Sequence, residues 1–322
     1  MENRKIRVAI THGDTNGIGY EIIFKTFAEP AMFELCTPII YGSPKVAAYH
    51  RNALGIQANF TIINNVEDAV DGKVNLLATF DEDVKVDMGQ PSKEAGTAAL
   101  KALDRAMEDY KAGGYDVLVT APINKNDIQS DRFRFCGHTE YIQEKVGEGR
   151  KALMILAGNS LRVALVTTHL PIAEVASAIT KEAIVEKCTI FNEALRRDFN
   201  VSAPRIAVLS LNPHAGDGGV IGNEEENVIK PALDELEAAG VKAFGPFAAD
   251  GFFGQGVYTA FDGVLAMYHD QGLAPFKTIV GGEGVNITAG LPIVRTSPDH
   301  GTAYDIAGKG VADETSFRTA IY

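Results

Sequence analysis

Short apolar runs recur along the chain at residues 6–10, 38–41, 116–119, 162–166, 205–209 and 263–267, with helical stretches between them. Such alternation predicts an α/β protein with a largely parallel sheet, because crossover helices join parallel strands. The strongest helical pattern spans 92–112, where Ala98, Ala102, Leu103, Ala106 and Met107 fall on one face. A second spans 181–198, with Ile184, Cys188, Phe191 and Leu195 aligned, and a third covers 223–239. A tight turn into a further helix is expected near Ile18. From Gly281 the pattern changes to glycine-rich Gly281-Gly282-Glu283-Gly284, then few periodic segments and many polar residues that could approach a ligand. This reads as a binding region. No internal repeat, low-complexity tract or long charge run marks a boundary.

Composition narrows the class. A chain of 322 residues, 46% hydrophobic and 22% charged, has room for two domains or one large α/β domain. The formal charge of −12 and pI near 5.1 argue against wholesale binding to nucleic acid or an anionic membrane. An anionic substrate must then be held by a few local cations. Cys36, Cys136 and Cys188 lack both Cys-x-x-Cys spacing and the density of a disulfide scaffold, which fits a reducing cytoplasm. The apolar run after Arg4, Lys5 and Arg7 is too short for a signal peptide or a membrane span.

Several common motifs fail. Gly13, Gly17 and Gly19 follow the first strand without the G-x-G-x-x-G spacing, and no P-loop Lys-Ser/Thr follows them. Neither a Gly-x-Ser-x-Gly elbow nor a His-Glu-x-x-His helix is present, which weakens a hydrolase reading.

Three histidines share one placement. His169 follows the run 163–168, His214 follows 208–213 and His269 follows 264–268, each just past the carboxyl end of an expected strand. Ligands bind at that edge in open α/β sheets. Three neutral imidazoles meeting there could hold a Zn²⁺-like ion and leave positions open for substrate or water. A single loop histidine is more often a surface or capping group; three of seven in equivalent positions strengthen the joint reading. Pro213-His214-Ala215-Gly216 and His269-Asp270-Gln271-Gly272 suit fixed turns that present a side chain.

Lys277, Asn286 and Arg295 lie soon after His269 and suit a phosphate, the lysine as a compact charge and the arginine as a planar fork. His138 and Thr139 open another expected helix, where they either donate to the same anion or Thr139 simply caps the helix. Asp270 adjoins His269, and Asp250 lies in an apolar stretch. An acid beside a metal can orient a ligand or relay a proton, while Asp250 could instead cap a helix beginning at Gly251.

At this point the motifs resemble one family over almost the whole chain, the 4-hydroxythreonine-4-phosphate dehydrogenases. The resemblance rests on 119–125 (Val-Thr-Ala-Pro-Ile-Asn-Lys), 137–140 (Gly-His-Thr-Glu), 167–171 (Thr-Thr-His-Leu-Pro), 211–216 (Leu-Asn-Pro-His-Ala-Gly), 267–272 (Met-Tyr-His-Asp-Gln-Gly), 290–292 (Gly-Leu-Pro) and 295–297 (Arg-Thr-Ser). It implies the fold of isocitrate and isopropylmalate dehydrogenases, two α/β domains with the active cleft between them. The division expected is 1–125 with 281–322 on the cofactor side, and 126–280 for metal, substrate and dimer contacts. His169, His214 and His269 would bind a divalent cation, zinc first among Mg, Mn and Co, at a homodimer interface with ligands from both subunits. His138, Thr139, Lys277, Asn286 and Arg295 would hold the substrate phosphate, and Asp250 and Asp270 would keep the site in order.

The segment 300–310 resembles the adenosine-binding loop of the wider group, which implies a cofactor site at His300, Gly301, Thr302 and Asp305. A carboxylate at Asp305 would favour NAD over NADP by accepting from the ribose hydroxyls and repelling a 2′-phosphate; the alternative is an N-cap of a short helix at 306–307. The activity implied is NAD-dependent oxidation, with decarboxylation, of 4-phosphohydroxy-L-threonine to 3-amino-2-oxopropyl phosphate in pyridoxal phosphate synthesis. A related dehydrogenase of threonate or erythronate 4-phosphate, or of an aromatic-acid dihydrodiol, carries the same motifs. Departures fall elsewhere: the usual Pro-Gly-Asp-Pro-Ala-Gly-Ile-Gly-Pro-Glu reads His-Gly-Asp-Thr-Asn-Gly-Ile-Gly-Tyr-Glu at 12–21, Cys136 replaces a proline, and Ala-Asp-Thr reads Ala-Asp-Gly at 249–251. These put substrate identity in question more than reaction type. Relatives usually continue beyond Tyr322, so the resemblance implies a longer natural C-terminus.

Overall fold

The computed structural model describes residues 4–80, 83–158 and 161–322. The chain forms two compact units, one of residues 1–150 with 291–322 and one of 151–290. The divisions read from the sequence were 125/126 and 280/281.

In the first unit, six strands run in parallel: β1 (Ile6–Thr11), β2 (Cys36–Gly42), β3 (Phe60–Ile63), β4 (Val74–Ala78), β5 (Val117–Thr120) and β12 (Val294–Pro298), ordered β3-β4-β2-β1-β5-β12. β2 is buried throughout, as its unbroken Pro-Ile-Ile-Tyr run requires of a strand covered on both faces. The helix Lys93–Lys111 packs beside it. Ser92 caps that helix by accepting from Ala95 N–H at 3.1 Å, and the buried face is made largely of alanines, which let helix and sheet approach closely.

The second unit holds β6 (Leu153–Gly158), β7 (Leu161–Leu165), β8 (Ile206–Leu209), β9 (Ala243–Phe247), β10 (Gly263–Ala266) and β11 (Val285–Ala289), ordered β11-β6-β7-β10-β8-β9. β7, β10, β8 and β9 are parallel, while β6 runs antiparallel to both β7 and β11. Strand alternation splits its interior into two cores. Ala164, Val208 and Leu265 pack with Ile184, Cys188, Phe191 and Leu195 of the helix Lys181–Arg197. Val163, Leu165, Leu209 and Ala266 pack with Phe252 and Phe276.

All six apolar runs form strands and the three helical patterns form helices, the third as a π-helical turn, Glu225–Ile229, leading into Lys230–Ala238. The region after Gly281 differs from the expectation of few regular elements, since β11 and β12 lie there. β11 alternates apolar Val285, Ile287 and Ala289 with polar Asn286 and Thr288, a strand pattern obscured by the glycine-rich lead-in, whereas polar Arg295, Thr296 and Ser297 leave β12 with no apolar run. No helix among the described residues is long and apolar enough to cross a membrane.

Candidate active site

The topology of the second unit puts the three histidines at one edge. β7, β10 and β8 are parallel neighbours, and His169, His269 and His214 follow their carboxyl ends within a few residues. His269 opens the helix His269–Val280, and its Nδ1 lies 2.7 Å from Asp270 Oδ1. That contact leaves Nε2 as the outward nitrogen, the arrangement by which a carboxylate orients a metal-binding imidazole. The rings of His169 and His269 are centred 6.1 Å apart. Two imidazoles on one tetrahedral ion, with metal–nitrogen bonds of about 2.0–2.1 Å, have centres roughly 5 Å apart, so small side-chain adjustments bring this pair to a common cation. Among the described residues, no group of three His, Cys, Asp or Glu within one chain could hold a metal ion. His214 is exposed on a turn of unusual backbone.

Two residues of the same motif missed by sequence reasoning brace this edge. Gln271 accepts from Met267 N–H at 2.7 Å and donates to the Ser210 carbonyl at 2.6 Å, tying the ends of β10 and β8 together. Gly272 lets the helix lie on the sheet, since a Cβ there would come within 2.8 Å of Leu165 and Val163 side chains. Asp250 does not precede a helix as its cap: it lies exposed inside the first turn of Ala249–Gly254, whose N-cap is Ala248. Lys277 is on the His269 helix, and Asn286, in β11, has a buried Oδ1 with no hydrogen-bond partner.

The first unit gathers a cationic cluster. Arg295, 3% exposed, donates to Thr120 Oγ1 from Nε at 3.1 Å and from Nη2 at 2.6 Å. Burial lowers its pKa to about 10, so it stays charged at neutral pH. His138 begins the helix His138–Val146, and its Nε2 is buried without a partner among the described residues. Burial first, then the charges of Arg295 and Lys125, push its pKa well below the ordinary histidine value. The result is a neutral imidazole beside two cations at a helix N-terminus, a setting that favours an incoming anion. Thr139 is not the N-cap; Gly137 is, and Thr139 lies within the first turn. Lys125 was legible in the motif 119–125 but had been given no role. It is within reach of Gly137, whose Cβ, if present, would lie 3.7 Å from Lys125 Cε.

A second polar region of this unit follows the carboxyl ends of β1, β5 and β12. Asp14, 1% exposed, accepts from Tyr304 Oη at 2.8 Å and from Asn16 N–H at 2.8 Å, and Asn124 donates to Tyr304 Oη at 3.1 Å. Burial raises the Asp14 pKa. Ile18 N–H donates to the Thr302 carbonyl at 3.1 Å, and Gly17 packs so close that a Cβ would lie 2.8 Å from that oxygen. The loop bearing His300, Gly301, Thr302 and Asp305 is thereby fastened to the loop after β1. His300 Nδ1 lies 3.0 Å from the Gly301 carbonyl oxygen, and its Nε2 is buried without a partner among the described residues. Asp305 is exposed and caps no helix; residues 304–310 form turns.

The chain as a whole is similar to known proteins. The model of the family described as pyridoxal phosphate biosynthetic protein PdxA matches residues 34–322. A protein named 4-hydroxythreonine-4-phosphate dehydrogenase from Bacteroides thetaiotaomicron is 63% identical over 322 residues, spanning all of this chain and 88% of its own length. The crystal structure of a 4-hydroxythreonine-4-phosphate dehydrogenase from Klebsiella pneumoniae superimposes with a TM-score of 0.85 at 34% identity, covering 99% of this chain and 97% of that one. At the level of fold alone, isocitrate dehydrogenase from Methylococcus capsulatus aligns with a TM-score of 0.51 at 13% identity, over 97% of this chain and 83% of that chain. With a family match across most of its length and a relative this similar over all of it, the chain belongs to the pyridoxal phosphate biosynthetic protein PdxA family.

Proposed function

We propose that the chain oxidises 4-phosphohydroxy-L-threonine with NAD and a divalent cation, releasing CO₂ and leaving 3-amino-2-oxopropyl phosphate for pyridoxal phosphate synthesis in the cytoplasm. The observation that carries the chemistry is the placement of His169, His269 and His214 after three adjacent parallel strands. When bound, the cation, zinc in the first instance, supplies Lewis acidity that lowers the hydroxyl pKa and stabilises developing negative charge. Asp270 holds the His269 ring through the Nδ1 contact. Asp250 is the second acid of the site.

His138, Thr139 and Arg295 hold the phosphate, with Lys125 adding charge. Because His138 is neutral and Arg295 is fixed by Thr120, this cluster is organised before the anion arrives. His300, Gly301, Thr302 and Asp305 bind the adenosine end of NAD. A second copy of the chain completes the cation's shell. Two observations support that: no set of three ligands gathers within one chain among the described residues, and exposed apolar side chains flank the histidines, Leu170 and Ile172 after His169, Val220 and Ile221 after His214.

The test is NADH formation from 4-phosphohydroxy-L-threonine and from threonate and erythronate 4-phosphates, with and without chelator. Turnover of the first that stops on chelation and returns with Zn²⁺ is expected. Preference for a sugar-acid phosphate would reassign the substrate, and turnover indifferent to thorough chelation would remove the cation from the reaction.

A further inference from the structure

The loop after β8 carries five consecutive residues in the left-handed region: His214, Ala215, Gly216, Asp217 and Gly218, at φ of 54°, 52°, 77°, 45° and 64°. Only two are glycine. Each of the others costs about 1–2 kcal/mol in that conformation, so the turn persists only where its surroundings hold it.

The group behind the turn is Glu225, 1% exposed. Its Oε1 accepts from the backbone N–H of Leu211 at 2.9 Å and of Asn212 at 2.7 Å, and its Oε2 accepts from Asn212 Nδ2 at 3.0 Å. Asn212 Nδ2 also donates to Glu224 at 2.7 Å, and that bond, the largest cause, lowers the Glu224 pKa. Gly216, at the centre of the turn, lies against the same carboxylate: a Cβ there would stand 2.6 Å from Glu225 Oε2. Ile221 N–H closes the segment onto the Gly216 carbonyl at 3.0 Å. Glu225 also begins the π-helical turn Glu225–Ile229. That wider turn departs from the α-helical register, a distortion frequent at functional sites.

We propose that Glu225 is a positioning residue of the cation site: its carboxylate, anchored on Leu211 and Asn212, holds the left-handed turn that presents His214. The imidazole is thereby placed before the cation binds. This rests on the reading of His214 as a cation ligand. A purely structural Glu225 would affect folding stability and leave cation affinity alone.

Zn²⁺ titrated calorimetrically into chelator-treated wild type, Glu225→Gln, Glu225→Ala and His214→Ala tests this, with circular dichroism to confirm native folding. Glu225→Gln is expected to weaken Zn²⁺ binding roughly ten- to a hundredfold, the range for residues that orient a metal ligand. Amides 211–219 should exchange hydrogen faster in the metal-free variant while the rest of the chain keeps its protection. Saturating Zn²⁺ should return kcat toward wild type. Affinity within about twofold of wild type in Glu225→Gln, with His214→Ala weakened, overturns the positioning role and leaves the ligand reading standing. Unchanged affinity in His214→Ala removes the ligand reading and the inference with it. Should Glu225→Ala fail to fold, the isosteric Glu225→Gln decides alone; lost stability at unchanged Zn²⁺ affinity counts against the proposal.

Discussion

The loops at the carboxyl ends of the strands are built in opposite ways in the two units. In the first, His12, Asp14, Thr15 and Asn16 are at most 1% exposed, and Asp14 is tied through Tyr304 to Asn124. In the second, His169 and His214 are exposed, Asp270 is 84% exposed, and the segment bearing His214 runs through unfavourable backbone. Asp14 and Asn16 are buried in a hydrogen-bonded network and cannot be removed without disturbing it, whereas the His12 ring nitrogens and Thr15 Oγ1 are buried with no hydrogen-bond partner among the described residues. An exposed group contributes little to folding and is free to meet a ligand. Changes in the first set should cost stability as well as activity; changes in the second should cost activity alone.

The sharpest break of that comparison is His269→Ala. Losing one cation ligand forfeits several kcal/mol of transition-state stabilisation, which is at least about a thousandfold in kcat/KM. Because the side chain is 41% exposed, the melting temperature in chelator should stay close to wild type. Steady-state kinetics and calorimetry on one preparation check both halves. A large fall in stability would put His269 in the core, and near-normal turnover would take it out of the reaction.

His12 should behave in the reverse way. Its ring stacks on Tyr20 with centres 5.3 Å apart, and burial lowers its pKa from 6.5 to about 4. The His50 pKa is also lowered, again chiefly by burial. The unfolded chain therefore takes up protons first as pH falls. The stability is fully present above pH 6.5 and is lost progressively as pH drops toward about 4, by about 3 kcal/mol for His12. Denaturant unfolding at a series of pH values should show this slope, and His12→Leu should flatten it. An unchanged slope in the variant would move the effect to other groups.

What the sequence revealed and concealed follows the same division. Fully buried strands such as β2 announced themselves as apolar runs, and the two long helices as one-sided apolar faces. β9 was hidden because Ala243-Phe244-Gly245-Pro246-Phe247 reads as a turn, yet it lies at a sheet edge where a proline is tolerated. β11 was hidden behind the glycine-rich lead-in, and β12 by its polar run Arg295-Thr296-Ser297. The motifs led to every candidate ligand by name, but Lys125, Thr120, Gln271 and Glu225 needed coordinates, because their roles depend on partners up to 175 positions away. The left-handed turn was also illegible, since His and Asp adopt positive φ more readily than most residues but still seldom do, and Ala215 carries no such signal.

Arg295 belongs to both halves of the comparison, being buried and, in the function proposed above, a phosphate ligand. Arg295→Ala should lower kcat/KM for the phosphorylated substrate roughly ten- to a hundredfold, the equivalent of about 1.5–3 kcal/mol for one charge-assisted contact. The dephospho analogue should lose much less. His138, relieved of one neighbouring charge, should titrate higher in the variant, visible in its ring resonances as pH is varied. Equal losses on both substrates would point away from phosphate recognition.

The smallest effect expected is at Asp305, and it asks whether an exposed residue on the otherwise fastened loop of the first unit selects the cofactor. The loop is held by the Ile18–Thr302 and Tyr304–Asp14 bonds, neither of which involves Asp305, so substitution there should leave the scaffold intact. A carboxylate accepts from both ribose hydroxyls of NAD, whereas the 2′-phosphate of NADP would bring like charges together. Solvent screens an exposed charge, which limits the discrimination from this one group to about 1 kcal/mol, or roughly fivefold. Lys309 lies four residues on and reduces it further. Asp305→Asn should therefore narrow the NAD/NADP ratio of kcat/KM by a few fold with unchanged melting temperature. A ratio that does not move, in a variant as stable as wild type, would leave the fastened loop as a scaffold only and place cofactor choice on other residues.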